Sequence, residues 1–389
     1  MNSPLTDTDR RHLARALELA KRGRGWVSPN PLVGAVLVRA GEALGEGWHS
    51  ELGGLHAERA ALEDCRQRGQ DPAGATMYVS LEPCAQQGRQ PPCTEAILEA
   101  GIGRVIIASE DPSEGASGRG PGILREGGVE VELAGGEEAT AAALLNQAFR
   151  KHARSGTALV ISKLALSLDG RTSTVPGEVP WISGERSRAL VHRWRAESDA
   201  IAVGIGTVLA DDPLLTARGE GQPRQPLRVV FDRRARLPLD SRLLGSLERA
   251  PVLAVVSPTA DAARIGALRG AGAEVLLADA IEPALSALGD QGITSLLLEG
   301  GRTLAAAFAA ADQIDEARTF LAPVLITGPE PGAKTPPHAA GGGEAGVSDA
   351  PPGGTPAAPP ARAARRVPLS FSLHTVGEDA LITARFKEW

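Results

Sequence analysis

Cysteine is scarce in this sequence, with three in 389 residues, at positions 65, 84 and 93. So small and odd a number excludes a disulfide framework and indicates a reducing compartment, the cytoplasm. Aromatic residues make up only 3% of the chain, which leaves few side chains for the base-stacking platforms of single-strand binders. Positive charge is not in excess either. The net charge of −6 is the opposite of the basic face that phosphate neutralisation requires, so no nucleic-acid partner is expected. No uninterrupted run of about eighteen apolar residues occurs, so no membrane span is expected. The opening stretch MNSPLTDTDRRHLARALELAKRG lacks the apolar centre of a secretory signal. It reads as an amphipathic helix, with Leu13, Leu17 and Ala20 at helical spacing.

What is present is ordinary for a globular enzyme: 42% hydrophobic and 23% charged residues, in a chain long enough for two domains. PLVGAVLV (31–38), ATMYVSLE (75–82) and RVIIAS (104–109) read as strands. HAERAALEDCRQRG (56–69) and CTEAILEAG (93–101) read as helices stopped by glycine. This alternation predicts an α/β domain with a partly parallel sheet. One helix is expected over 137–156, with a domain boundary near residue 152, giving units 1–152 and 153–389. The second unit repeats the pattern, from ALVISKLALS through DAIAVG, LRVVF, VLAVV, EVLLA, SLLLEG and RTFLAPVLI to a last strand at ALITARF (380–386). Residues 328–366 are rich in Pro, Gly and Ala and poor in large apolar side chains, so they are expected to be a disordered surface insertion. No role is expected for His338 within it.

The stretch LHAERAALED, followed by LEPCAQQGRQPPC, carries the chemistry. A catalytic Zn²⁺ site takes three protein ligands and leaves one position open. His56, Cys84 and Cys93 supply that number, and each Cys follows a Pro at the end of an element. Glu58 lies about 200° around an ideal helix from His56, so it is expected to move protons beside the metal and not to bind it. Taken alone, His-x-Glu also fits an ordinary capped helix start. The combination with the two Pro-Cys pairs favours metal. Cys65 falls on the far side of the same helix and reads as packing.

With these residues in place, the N-terminal unit resembles the zinc-dependent cytidine-deaminase superfamily. Its segments NPLVGAVLV, GEGWH, HAERAAL, YVSLEPCAQQGRQPPCTEAI and GIGRVIIASEDP resemble, in that order, the deaminase half of the bifunctional riboflavin-biosynthesis deaminase/reductases. The resemblance implies zinc on His56, Cys84 and Cys93, and Glu58 as proton shuttle. It also implies contacts from Asn30, His49 and Arg89 to the pyrimidine or its ribosyl phosphate. The usual loop Cys-Ser-His-His-Gly is here Cys84-Ala85-Gln86-Gln87-Gly88. The amides still hydrogen-bond but cannot donate a proton near neutral pH.

In the second unit, Gly204-x-Gly206 and Gly300-Gly301 sit at strand-to-helix junctions, where a phosphate can approach backbone N–H groups, though simple turns are an equal reading. Arg195 and Arg218 suit bidentate contact with a sugar phosphate. Trp181 suits packing on a planar ring, or a core position. The order of segments resembles the reductase half of the same enzymes, which implies NADPH. It implies cofactor contacts from Ala165, Trp181, Thr207, Asp211, Arg233 and the run Gly301, Arg302, Thr303, Leu304, Ala305, Ala306 and Ala307. It implies substrate contacts from Val179, Arg195, Leu215, Arg218 and Glu299, with Lys163 reaching the ribosyl chain. The expected fold class is α/β, a cytidine-deaminase-like α/β/α domain followed by a dihydrofolate-reductase-like α/β domain. The expected substrate is a small pyrimidine ribosyl phosphate, and self-association is expected through the reductase unit. An RNA adenosine deaminase of the same superfamily, a purely structural zinc, and an active deaminase joined to a degenerate reductase are the competing readings. The second unit and the acidic balance weigh against the RNA editor.

Overall fold

Thr6 starts the first helix: its hydroxyl accepts from the Asp9 N–H while the Asp9 carboxylate accepts from the Thr6 N–H, a reciprocal capping box. The structure, a computed structural model, describes residues 5–88, 90–114, 117–172, 181–219, 224–326 and 366–389. The first unit runs α1 (Asp7–Ala20), β1 (Gly34–Arg39), β2 (Glu42–Trp48), α2 (Ala57–Gln67), β3 (Thr76–Val79), α3 (Cys93–Glu99), β4 (Arg104–Ile107), α4 (Arg119–Glu126) and β5 (Glu130–Leu133). Its sheet has the order β2-β1-β3-β4-β5, antiparallel around β1 and parallel from β3 to β5. Leu13, Ala16 and Leu17 of α1 pack with Val36, Tyr78 and Ile106 on one face. Leu62, Ile97 and Leu124 of α2, α3 and α4 pack with Leu37, Met77 and Val105 on the other. The result is the α/β/α sandwich expected from the sequence.

Two further helices, α5 (Gly136–Leu145) and α6 (Gln147–Ser155), lead to the second unit. It comprises β6 (Leu159–Ser167), α7 (Glu185–Glu197), β7 (Ala200–Gly204), α8 (Ile205–Asp211), β8 (Leu227–Phe231), β9 (Val252–Val256), α9 (Ala262–Gly270), β10 (Glu274–Leu277), α10 (Ile281–Asp290), β11 (Ser295–Leu298), α11 (Arg302–Ala310), β12 (Glu316–Ala322), β13 (Ser370–Val376) and β14 (Asp379–Arg385). The sheet order is β10-β9-β8-β7-β11-β6-β12-β14-β13. It is parallel through β12 and closed by an antiparallel hairpin. Apolar cores cover both faces, which is why its central strands read as unbroken hydrophobic runs.

Two departures from the sequence reading have physical causes. The single helix expected over 137–156 is broken at Asn146, whose side chain pairs with the Leu32 backbone instead of facing solvent. Strand β2 shows no clear apolar alternation because Gly45 and Gly47 stand where α2 presses on the sheet. A Cβ on Gly47 would lie 2.3 Å from the Ala61 nitrogen, and one on Gly45 2.4 Å from the Ala61 oxygen. The last strand begins at Asp379, and β13 pairs along its outer edge. Residue 152 falls inside α6. Of the expected insertion over 328–366, only Arg366 is among the described residues, so His338 lies outside them, as do Arg89 and Val179.

Candidate active sites

His56 occupies the position just before α2, in extended backbone, and its side chain makes no capping bond to its own helix. The ring is therefore free to turn towards the end of β3 and the start of α3. Its Nδ1 lies 3.5 Å from Cys84 Sγ and 3.4 Å from Cys93 Sγ. All three ligand atoms fall within 4.8 Å of one another. An ion about 2.0–2.1 Å from nitrogen and about 2.3 Å from sulfur, at tetrahedral angles, sets N and S roughly 3.5 Å apart. The donor set and its spacing thus fit zinc. Cys84 is already prepared as a ligand. Hydrogen bonds from the Cys93 thiol and from His56 bring its thiol down to about 4, and the Cys93 backbone N–H donates to its sulfur at 3.3 Å. The hydrogen bond it gives to the Cys84 sulfur, and then burial, push the Cys93 thiol up.

Glu58, on the first turn of α2, is buried beside this cluster but is not one of its converging ligands. Burial first, and then the Cys84 thiolate, push its carboxyl up to about 7. Cys65 is fully buried in the core under α2, and its Sγ faces the Gln70 carbonyl at 3.5 Å. His49 stands edge-on to His56, with ring centroids 5.4 Å apart. Its Nδ1 reaches the Leu55 carbonyl at 2.9 Å, so that nitrogen carries the proton and Nε2 accepts from the Asn30 amide at 3.1 Å. Burial keeps this imidazole neutral by pulling its pKa down.

Two residues beside the cluster escaped the sequence reading. Glu82, two positions before Cys84, accepts backbone N–H groups of Asp111, Gly118 and Gly120 at 3.3, 3.1 and 3.2 Å. It ties the ligand loop to the start of α4, where a Cβ on Gly120 would lie 2.2 Å from the Pro83 oxygen. Arg59 donates to the Pro92 carbonyl at 3.0 Å and so joins α2 to the residue preceding Cys93. A charged residue flanking each ligand motif was the available signal.

In the second unit, Arg195 on α7 grips Glu299 with two hydrogen bonds, of 2.6 and 2.9 Å, and donates to the Thr216 carbonyl at 3.1 Å. Lys163 on β6 approaches Glu299 at 3.9 Å. Burial alone would raise the Glu299 carboxyl, but Arg195 and Lys163 override it and hold the group below the usual carboxylate range. Burial pulls Lys163 down. His192, one turn before Arg195 and not singled out from sequence, is held low by burial and by the charges of Arg195 and Arg218. Arg218 therefore belongs to the same neighbourhood. Leu215, between these elements, is buried with φ 52°, a left-handed conformation that an ordinary residue keeps only when its surroundings impose it.

Glu299 leads directly to Gly300, Gly301 and α11. A Cβ on Gly301 would meet Thr207 Oγ1 at 4.0 Å, and one on Gly204 would meet Leu304 at 3.6 Å. The starts of α8 and α11 thus lie side by side at the ends of neighbouring parallel strands β7 and β11. Two helix starts side by side at strand ends suit the phosphates of a dinucleotide. Arg302, Thr303, Ala305, Ala306 and Ala307 continue along α11. Asp211 ends α8, and burial raises its carboxyl. Ala165 lies on β6 opposite Phe320. Arg233 is exposed just beyond β8. Trp181 is exposed, with the Arg188 guanidinium 5.6 Å above its ring.

Comparison with known proteins now bears on the whole chain. Residues 6–109 match the family described as the cytidine and deoxycytidylate deaminase zinc-binding region, and residues 158–337 match the RibD C-terminal domain. The riboflavin biosynthesis protein RibD of Actinobacillus pleuropneumoniae is 42% identical over 343 residues, covering 86% of this chain and 88% of that protein. The chain belongs to the RibD family. The RibD of Escherichia coli is 37% identical over 82% of the chain and 88% of its own length. Acinetobacter baumannii RibD superposes with a TM-score of 0.78 at 34% identity, covering 98% of this chain and 99% of that structure. A Thermotoga maritima structure, named as a diaminohydroxyphosphoribosylaminopyrimidine deaminase/5-amino-6-(5-phosphoribosylamino)uracil reductase, reaches 0.77 at 31% identity, with 98% and 99% coverage. In keeping with RibD membership, the chain is a bifunctional deaminase and reductase, with zinc and NADPH as its cofactors. No helix among the described residues is long and apolar enough to cross a membrane.

Proposed function

We propose that the enzyme hydrolytically deaminates 2,5-diamino-6-ribosylamino-4(3H)-pyrimidinone 5′-phosphate and then reduces its ribosyl group to ribityl. The observation that carries this reading is the convergence of His56 Nδ1 on Cys84 and Cys93, at 3.5 and 3.4 Å, beside the buried carboxyl of Glu58. His56, Cys84 and Cys93 hold the zinc. When bound, Zn²⁺ supplies the Lewis acidity that makes water nucleophilic near neutral pH. Water adds to the amino-bearing ring carbon. Glu58 accepts a proton from that water and returns it to the departing amino group, which leaves as ammonia. Asn30 and His49, already hydrogen-bonded to each other, orient the pyrimidine, and Arg89 contacts it or its phosphate.

In the second unit, NADPH supplies a hydride when bound. The starts of α8 and α11, with Thr207 and the Gly301–Ala307 run, would hold its phosphates, and Ala165, Trp181, Asp211 and Arg233 would contact the rest of the cofactor. Arg195 and Arg218 bind the sugar phosphate, Val179, Leu215 and Glu299 contact the substrate, and Lys163 contacts the opened ribosyl chain, whose C1′ imine is the hydride acceptor. Mass spectrometry of products from the diaminopyrimidine phosphate tests both steps together. Without NADPH the product should show one amino group exchanged for oxygen, and with NADPH two further hydrogens. Reduction without prior loss of ammonia would overturn the order proposed.

The reading includes self-association through the second unit. Leu369, Phe371 and Leu373 alternate along one face of the edge hairpin, all of them more than 60% exposed. Such an apolar row on a sheet edge is what a second copy would cover. Light scattering should report an oligomer that Phe371→Glu dissociates. A parent chain that is monomeric at micromolar concentration would count against it.

A further inference from the structure

Asn146 separates α5 from α6, the position at which an Asn side chain usually caps the helix that follows. Here it makes no capping bond. Its Oδ1 accepts from the Leu32 N–H at 2.8 Å, and its Nδ2 donates to the Leu32 carbonyl at 2.9 Å. The amide thus pairs with one residue's backbone as a neighbouring strand would, across 114 positions of sequence, and it is itself only 3% exposed. The segment it holds matters for the deaminase. Asn30 lies two residues before Leu32 and donates to His49 Nε2, and on the other side of Leu32 the Val33 carbonyl accepts from the His49 backbone N–H at 3.0 Å.

The helix that presents Asn146 is fixed to the second unit. Lys151 forms a buried ion pair with Asp315 at 2.6 Å, and His152 Nε2 meets the Gly289 carbonyl at 3.0 Å. Gln147 accepts from the backbone N–H of Trp389 at 3.0 Å, and the Trp389 indole donates to Asp315 at 3.0 Å. A second tie reaches the same loop from the residue before β11. Ser28 Oγ lies 3.2 Å from Thr294 Oγ1. The Thr294 hydroxyl donates to the buried Asp199 at 2.7 Å, which leaves Ser28 as the donor between them. Arg150, on the same helix, donates to Ser109 Oγ and to the Glu110 carbonyl at 3.2 and 3.3 Å, in the loop that follows β4.

We propose that Asn146 is a positioning residue for deamination: α6, anchored on the reductase sheet, holds loop 27–33 and so sets Asn30 in the place from which it binds the pyrimidine. The proposal rests on the reading of Asn30 as a pyrimidine contact. It acts through Asn30 and touches neither zinc nor NADPH. Removing both hydrogen bonds should therefore weaken substrate binding and leave the chemical step alone.

The test is a double-mutant cycle in the full chain. Asn146→Ala should raise the deaminase KM about tenfold, the size expected for losing two buried hydrogen bonds, with kcat within about twofold. Zinc content and NADPH oxidation on pre-deaminated substrate should stay at parental values. In an Asn30→Ala background the same substitution should change KM by less than about twofold, because the residue it acts through is gone. Asn146→Ser keeps a neutral hydroxyl that can accept from the Leu32 N–H or donate to its carbonyl, and places no charge in the buried position. It should fold even where Asn146→Ala does not, with an intermediate KM. An impaired Asn30→Ala beside a parental KM in both Asn146 variants would overturn the proposal alone. So would additive effects in the cycle, or equal losses in both activities, which would mark Asn146 as a general stability residue. A parental KM for Asn30→Ala would overturn the reading of Asn30, and this proposal with it.

Discussion

Glu58→Gln should lower the rate of ammonia release by about 10²–10⁴-fold, the range supplied by a positioned proton-transfer group. The amide fills the same space but can neither take a proton from water nor return it to the leaving amino group. Because Glu58 is not among the three converging donor atoms, zinc content should remain at the parental value. NADPH oxidation on pre-deaminated substrate should also be unchanged, since the reductase cluster of Lys163, Arg195 and Glu299 is built on a different sheet. Ammonia assay, metal analysis and NADPH absorbance on one preparation check all three. Parallel loss of both activities in a folded variant would refute the assignment of two separate sites.

The second large effect is expected at Glu299. Its carboxylate answers two buried cations, and Arg195 and Lys163 are themselves mostly enclosed. Glu299→Ala leaves them facing each other without a counter-charge, a loss of about 3–5 kcal/mol when one partner of a buried pair is removed. The expected result is a lower melting transition for the second unit and loss of reduction, with deamination retained in the cold. The pH dependence has a definite sign. Glu299 is held below the usual carboxylate range, so its contribution is complete above the unfolded-state value, about 4.3 for a Glu. It is lost only as pH falls through the lower folded value. Parent and variant should therefore differ fully from pH 5 to 8 and converge only in stronger acid. Calorimetric scans across that range check this. Convergence already at pH 6 would mean that Glu299 is not the charge that the two cations require.

The metal cluster was legible in the sequence because its parts sit at element ends. Cys84 and Cys93 each follow a proline, and His56 opens a helix, so residue type and local punctuation agreed. The parallel strands of the second sheet were legible for a similar reason, since burial on both faces writes them as apolar runs. Strand β2 was not, because close approach of α2 demands glycine at 45 and 47, and glycine erases the alternation by which a strand is recognised. Asn146 was not legible either. Nothing local distinguishes it from a helix interior, and its partner Leu32 is brought to it only by tertiary packing. The left-handed Leu215 belongs to the same class. Backbone strain at a non-glycine residue leaves no compositional trace, so the resemblance indicated that position while its conformation emerged only from the structure.

Helix α6 also bears on how such an enzyme could be taken apart. Asn146 and Arg150 face the loops of the first sheet, while Lys151 and His152, on the next turn, face the second. No seam within this helix leaves both partners whole. A chimera that borrowed its reductase half from a relative would have to borrow the helix's outward face with it, or graft those contacts anew. Gene fission at this point would yield two fragments, each missing a wall that the other had provided.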